Sequence, residues 1–116
     1  MELLALLSND EQTWTQVNAL IKHGEWDKVI VLGDGNARKF SSEKQFDFVQ
    51  VDLTKKIVEL KQEFLYKLKD KFEGMEVALS IASGNGKEHM ALVSALLSIP
   101  IGVRFTAFTK DGVVFM

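Results

Sequence analysis

The 116 residues hold no cysteine, one proline, 47% hydrophobic residues and a net charge of −2, which fits a single domain over residues 1–116 with a substantial core. The missing cysteines exclude disulfides and thiolate chemistry, two histidines leave little for a zinc site, and no metal or cofactor is expected. Fourteen basic against sixteen acidic residues, spread along the chain, argue against gripping duplex nucleic acid by charge.

The amino-terminal run Leu3 to Leu7 is short and continuously apolar, as in a strand buried on both faces of a parallel sheet. With an acid at position 2 and polar residues from Ser8, it matches neither a signal peptide nor a membrane span, so a cytoplasmic protein is expected. Asn9 or Asp10 is placed to cap a helix in which Trp14, Val17, Leu20 and Ile21 recur at helical spacing up to Gly24. Residues 27–32, DKVIVL, form a second buried strand that runs into the turn Gly33-Asp34-Gly35-Asn36, with a short helix through Arg38 and Phe40. Residues 46–53, FDFVQVDL, alternate, which suits a third strand nearer the sheet edge.

Thr54 is the expected cap of the longest helix, whose Ile57, Leu60, Phe64, Leu68 and Phe72 follow a 3.6-residue period to Gly74. The lysines and glutamates between them form a solvated face. Residues 76–82 read as strand four. SGNGK, residues 83–87, then leads into a helix that is apolar nearly all round from His89 to Leu97 and so expects cover on more than one side. Pro100 stops it, and residues 101–109 and 113–116 form a hairpin about Lys110-Asp111-Gly112.

Alternating strands and helices predict an α/β fold of the Rossmann-like, three-layer α/β/α kind. Its mainly parallel sheet has about six strands in the order 3-2-1-4-5-6 and ends in the antiparallel hairpin. Strands one and four then flank the topological switch point, where ligands bind beyond the carboxyl ends of the strands. The loops there are Ser8-Asn9-Asp10 and Ser83 to Lys87.

SGNGK is not a Walker motif, because Ile81 stands where the first glycine belongs and Glu88 where the magnesium-binding hydroxyl belongs. Nor is there a glycine after strand one for a dinucleotide fingerprint. What remains is a turn whose amides, helix amino end and Lys87 would suit an anion, set against a plain strand-to-helix turn with Lys87 solvated.

The segments LLALLSND, TWTQVNAL, WDKVIVLGDG and SGNGKEHMALVSALLSIPIGVRFTAF together resemble the CRISPR-associated Rossmann fold family. Ser83, Gly84, Gly86, Lys87 and Met90 match that family's loop-and-helix pattern after strand four, with Asn85 in place of the usual glycine or hydroxyl residue. Ser8, Asn9, Asp10 and Thr13 match its polar cluster after strand one. The resemblance implies a homodimer that binds a cyclic oligoadenylate across its two-fold axis at those residues. It implies no effector domain within these residues, and the lysine-rich composition leans toward an archaeal or thermophilic source.

Lys87 and Ser8 would be the residues of a metal-independent ring-opening reaction, Lys87 with the loop amides stabilising charge and Ser8, Asn9 or Ser83 positioning phosphate or ribose. No histidine stands in place as a base: His23 reads as a helix-end cap, and His89 faces either the pocket or a partner. Asp34 reads as a turn aspartate and both tryptophans as core or rim. The alternatives are a ligand-free module that dimerises through helix four and a metal-independent phosphodiesterase acting on linear RNA. No membrane or duplex partner is expected.

Overall fold

The computed structural model describes residues 1–116 as a six-stranded sheet with helices on both faces. In chain order the elements are β1 (Glu2–Leu7), α1 (Trp14–His23), β2 (Lys28–Gly33), β3 (Asp47–Gln50), α2 (Ile57–Leu68), β4 (Glu76–Ser80), α3 (Gly86–Leu97), β5 (Gly102–Thr109) and β6 (Gly112–Phe115). Short 3-10 turns precede α1 at Glu11–Thr13 and follow β2 at Gly35–Lys39. The strand order is β3-β2-β1-β4-β5-β6, parallel except for the final β5–β6 pair, as the strand and helix patterns predict. No helix is long and apolar enough to cross a membrane.

β1 is the central strand and all six of its residues are buried, because successive side chains point to opposite faces and both faces are covered. Leu4 and Leu6 point toward Leu60, Phe64 and Leu68 of α2 and Leu92 and Leu96 of α3. Leu3, Ala5 and Leu7 point the other way, toward Trp14, Val17, Leu20 and Ile21 of α1. Glu2, the acid in this strand, is 5% exposed. Its carboxylate accepts from the Glu73 amide at 3.0 Å and the Gly74 amide at 2.8 Å, so the turn before β4 supplies the partners that burial of a charge requires.

Four boundaries differ from the sequence expectation. Thr54 does not cap α2: its amide and hydroxyl both donate to Asp52 Oδ1, at 3.0 and 2.6 Å, and the helix begins after Lys56, which makes no side-chain cap. An aspartate two residues ahead of a threonine has closed its own turn and consumed the hydroxyl. α2 also stops at Leu68 rather than Gly74, since the amides of Glu73 and Gly74 go to Glu2 instead of to helix carbonyls. Strands β3 and β4 are shorter than expected, ending at Gln50 and Ser80, although Val51 and Leu53 remain buried.

The hairpin lies where its turn residues place it. Gly112 has φ +96° and no other residue in it has positive φ, which excludes a type I′ turn and fits a turn closed by a left-handed glycine. Only residues 102–105 of β5 pair with β4, while residues 106–109 pair with β6. The Phe108 amide, beyond the end of β4, donates instead to Gln16 Oε1 of α1 at 2.8 Å.

Candidate functional site

β1 and β4 run parallel side by side, with Ala5 opposite Ser80, so the loops that leave their carboxyl ends meet. Asp10 turns the first loop, accepting from the Gln12 amide at 3.3 Å through its side chain and from the Thr13 hydroxyl at 2.6 Å through its carbonyl. Trp14 is buried, and its Nε1 donates to the Ser8 carbonyl at 2.7 Å, which assigns it to the core.

The two loops are joined through Ser83, which is fully buried. Ser83 Oγ accepts from the Ser8 amide at 2.8 Å and lies 2.7 Å from Thr13 Oγ1. Each hydroxyl has one proton. Thr13 gives its proton to the Asp10 carbonyl, so Ser83 must donate to Thr13, and the order Ser8 amide, Ser83, Thr13, Asp10 carbonyl satisfies every member. Four of the residues singled out from the sequence, Ser8, Asp10, Thr13 and Ser83, are thus one network although 70 positions separate Thr13 from Ser83. Ser80, at the end of β4, differs: its hydroxyl is buried with no partner.

Gly84 has φ +113°, and a Cβ there would come within 2.8 Å of both Leu6 and His89, so conformation and space both require glycine. Asn85 caps α3, accepting from the Glu88 amide at 2.9 Å, while the Glu88 carboxylate accepts from the Asn85 amide at 3.1 Å. This capping box is what the helix makes of the residue that stands at the Walker hydroxyl position. It leaves the amides of Gly86 and Lys87 as the uncapped donors of the first turn. Gly86 is exposed, and nothing lies within 4 Å of where its Cβ would be. His89 Nε2 donates to the Ser83 carbonyl at 2.8 Å, because a carbonyl can only accept, so His89 braces the loop.

Lys87 departs from the expected arrangement. Its ammonium donates to the carbonyls of Leu53 at 2.9 Å and Lys55 at 2.8 Å, tying the start of α3 to the loop before α2 instead of facing the β1 loop. Its charge is felt by Asp52, whose carboxyl is held below its ordinary range first by the Thr54 hydroxyl, then by the Thr54 amide, and further by Lys55 and Lys87. The carbonyl partners of Lys87 left no mark in the sequence, since any residue supplies a carbonyl.

Asn9, Asp10, Asn85 and Gly86 are exposed at the carboxyl end of the sheet, around the buried Ser83 network. The larger grooves lie elsewhere, against β3 and at the amino ends of the strands. Asp34 caps the 3-10 turn after β2 through bonds to the Asn36 and Ala37 amides, the turn reading of that residue. His23 lies in the last turn of α1 with its ring stacked on Phe108 at 4.8 Å, and Trp26 donates to the Leu20 carbonyl. No group of three or more histidine, cysteine or acidic side chains could hold a metal ion.

The helix α3 leaves the same loop with one side uncovered. Met90 is 65% and Leu97 77% exposed, with Val93 half-buried between them. The expected cover on more than one side is therefore incomplete, because α2 and the sheet take only the side that carries Ala91, Leu92, Ala95 and Leu96.

Fold and loops together define a Rossmann-like α/β domain with a switch point between β1 and β4. No protein-family model matches the chain, and no curated protein matches it.

Proposed function

We propose that the chain is a homodimeric nucleotide-sensing domain that takes a cyclic oligoadenylate at the β1/β4 switch point, in the manner of the CRISPR-associated Rossmann fold family it resembles. The observation that carries the reading is the Ser8–Ser83–Thr13 network, which makes one surface of two loops distant in sequence. Asn9 and Asn85 border that surface as polar side chains for base or ribose edges, and the uncapped amides of Gly86 and Lys87 are donors for a phosphate. The apolar stripe Met90, Val93 and Leu97, at spacings of three and four along a helix that starts in the same loop, supports a second copy as the occupant of its open side.

The reading is one of binding. The Lys87 ammonium is engaged by two carbonyls and His89 Nε2 by a third, so both serve first to hold the loops. The second reading, a ligand-free module that dimerises through α3, is favoured by those same bonds and by the Glu88 carboxylate, which already sits at the positive end of the helix.

Titration calorimetry with cyclic tetra- and hexa-adenylate separates the two, best with Gly86→Asp alongside. An aspartate at this open position meets no steric barrier and favours the helix end, so the fold is retained. Its charge opposes a phosphate there, and ring affinity should fall roughly tenfold or more. Heat from neither ring with the wild-type chain would leave the interaction module. Mass analysis of the recovered ring reads out any opening of it.

A further inference from the structure

The first turn of α3 is not where the molecule's largest groove lies. That groove, about 690 Å³, runs between the free edge of β3 and the carboxyl end of α2, lined by Phe48, Gln50, Tyr66, Lys67, Lys69 and Lys71 among others. β3 pairs only with β2, so its other side is open. Tyr66 is 74% exposed, an aromatic ring in water at the groove wall.

The charges around the two rings are mostly without carboxylate partners. Lys67 is paired with Glu63 at 3.1 Å and also holds the Gln50 carbonyl. Lys69 and Lys71 form no ion pair, and Lys69 Nζ instead lies 5.4 Å from the Tyr66 ring centroid. Arg38 likewise has no acid: its guanidinium lies 5.2 Å over the Phe48 ring, and its Nε donates to Gln50 Oε1 at 2.6 Å. The groove lining thus carries three lysines, of which Lys69 and Lys71 are unpaired, beside two aromatic rings and against one acid, Asp70. On a chain whose net charge is −2 this is a local inversion of sign.

We propose that this groove is a second binding site, separate from the switch point, for a short single-stranded nucleic acid. Aromatic rings offer base stacking that needs no sequence, and unpaired cations take the phosphates, whereas a strand-adding peptide would use neither the Tyr66 ring nor three positive charges. Lys67 holding the Gln50 carbonyl further occupies part of the edge that an added strand would need.

The test is fluorescence anisotropy with a labelled oligouridylate of about ten nucleotides, a length within single-strand site sizes. Three phosphate contacts give a slope near −2 in log affinity against log salt, so binding should weaken roughly twentyfold between about 50 and 200 mM salt. Tyr66→Ala should weaken it roughly tenfold and Lys69→Glu with Lys71→Glu more, all three positions being on the surface. Gly86→Asp should leave it unchanged, and Tyr66→Ala should leave calorimetry with the cyclic rings unchanged, so the two sites fail independently. No anisotropy change at low salt, an affinity indifferent to Tyr66→Ala, or equal binding of a labelled polyglutamate peptide would each overturn the proposal.

Discussion

Ser80 and Ser83, three positions apart and both buried, have opposite energetics. Ser83 is donor and acceptor in a satisfied chain, so Ser83→Ala strands the Ser8 amide and costs about 1–3 kcal/mol in urea denaturation. Ser80 has no partner, so Ser80→Ala removes an unsatisfied hydroxyl and should leave stability equal or raise it by about 1 kcal/mol. A loss as large as that of Ser83→Ala would contradict the assignment. Glu63 carries a pH dependence. Burial raises its carboxyl, but the Asp52 amide, Lys67 and Lys55 together outweigh this and hold it below its ordinary 4.5. A depressed carboxylate stabilises the fold fully above the unfolded value and loses that contribution as pH falls through the folded one. The stability difference between the wild-type chain and Glu63→Gln should therefore be constant above about pH 4.5 and shrink below it, measured by denaturant midpoints at a series of pH values.

Among the elements, α3 concentrates the consequences. Asn85→Ala removes its capping side chain and should cost about 0.5–2 kcal/mol. Lys87→Ala instead frees the carbonyls of Leu53 and Lys55, and faster amide exchange over residues 53–57 without loss of the helix is the expected signature. If Lys87 also reaches the ligand with its third N–H, the same variant lowers ring affinity. On the open side, Leu97→Asp places a charge at a 77% exposed position and leaves the monomer intact; under the proposed dimer it should shift the sedimentation coefficient to that of a single chain. α2 shows what sequence pattern does not carry. Its apolar period continued to Phe72, and Phe72 does pack on the core, yet the helix ends at Leu68. The deciding partner is Glu2, 71 positions from Glu73, and nothing local announces it.

At the scale of the whole molecule, the strand order followed from the alternation of continuous apolar runs with helical periods, because β1 and β2 can be apolar throughout only where helices cover both faces. The same order placed Ser8 and Ser83 at adjacent strand ends before any contact was known. What stayed illegible was side-chain direction: Lys87 reads as a loop cation, yet its ammonium finds backbone carbonyls of a third loop. The β3–α2 groove was equally hidden, since Phe48 and Gln50 come from one segment and Tyr66, Lys69 and Lys71 from another, and the lysine face of α2 reads as mere solvation. The proposed function amounts to one arrangement, two chains joined along the open α3 stripe about a single ring. Native mass spectrometry of the chain with cyclic tetra- and hexa-adenylate tests it most directly. The expected result is a species of two chains and one ring, lost in Gly86→Asp while the dimer remains; a dimer that takes up neither ring, or a chain that stays single with and without them, would contradict it.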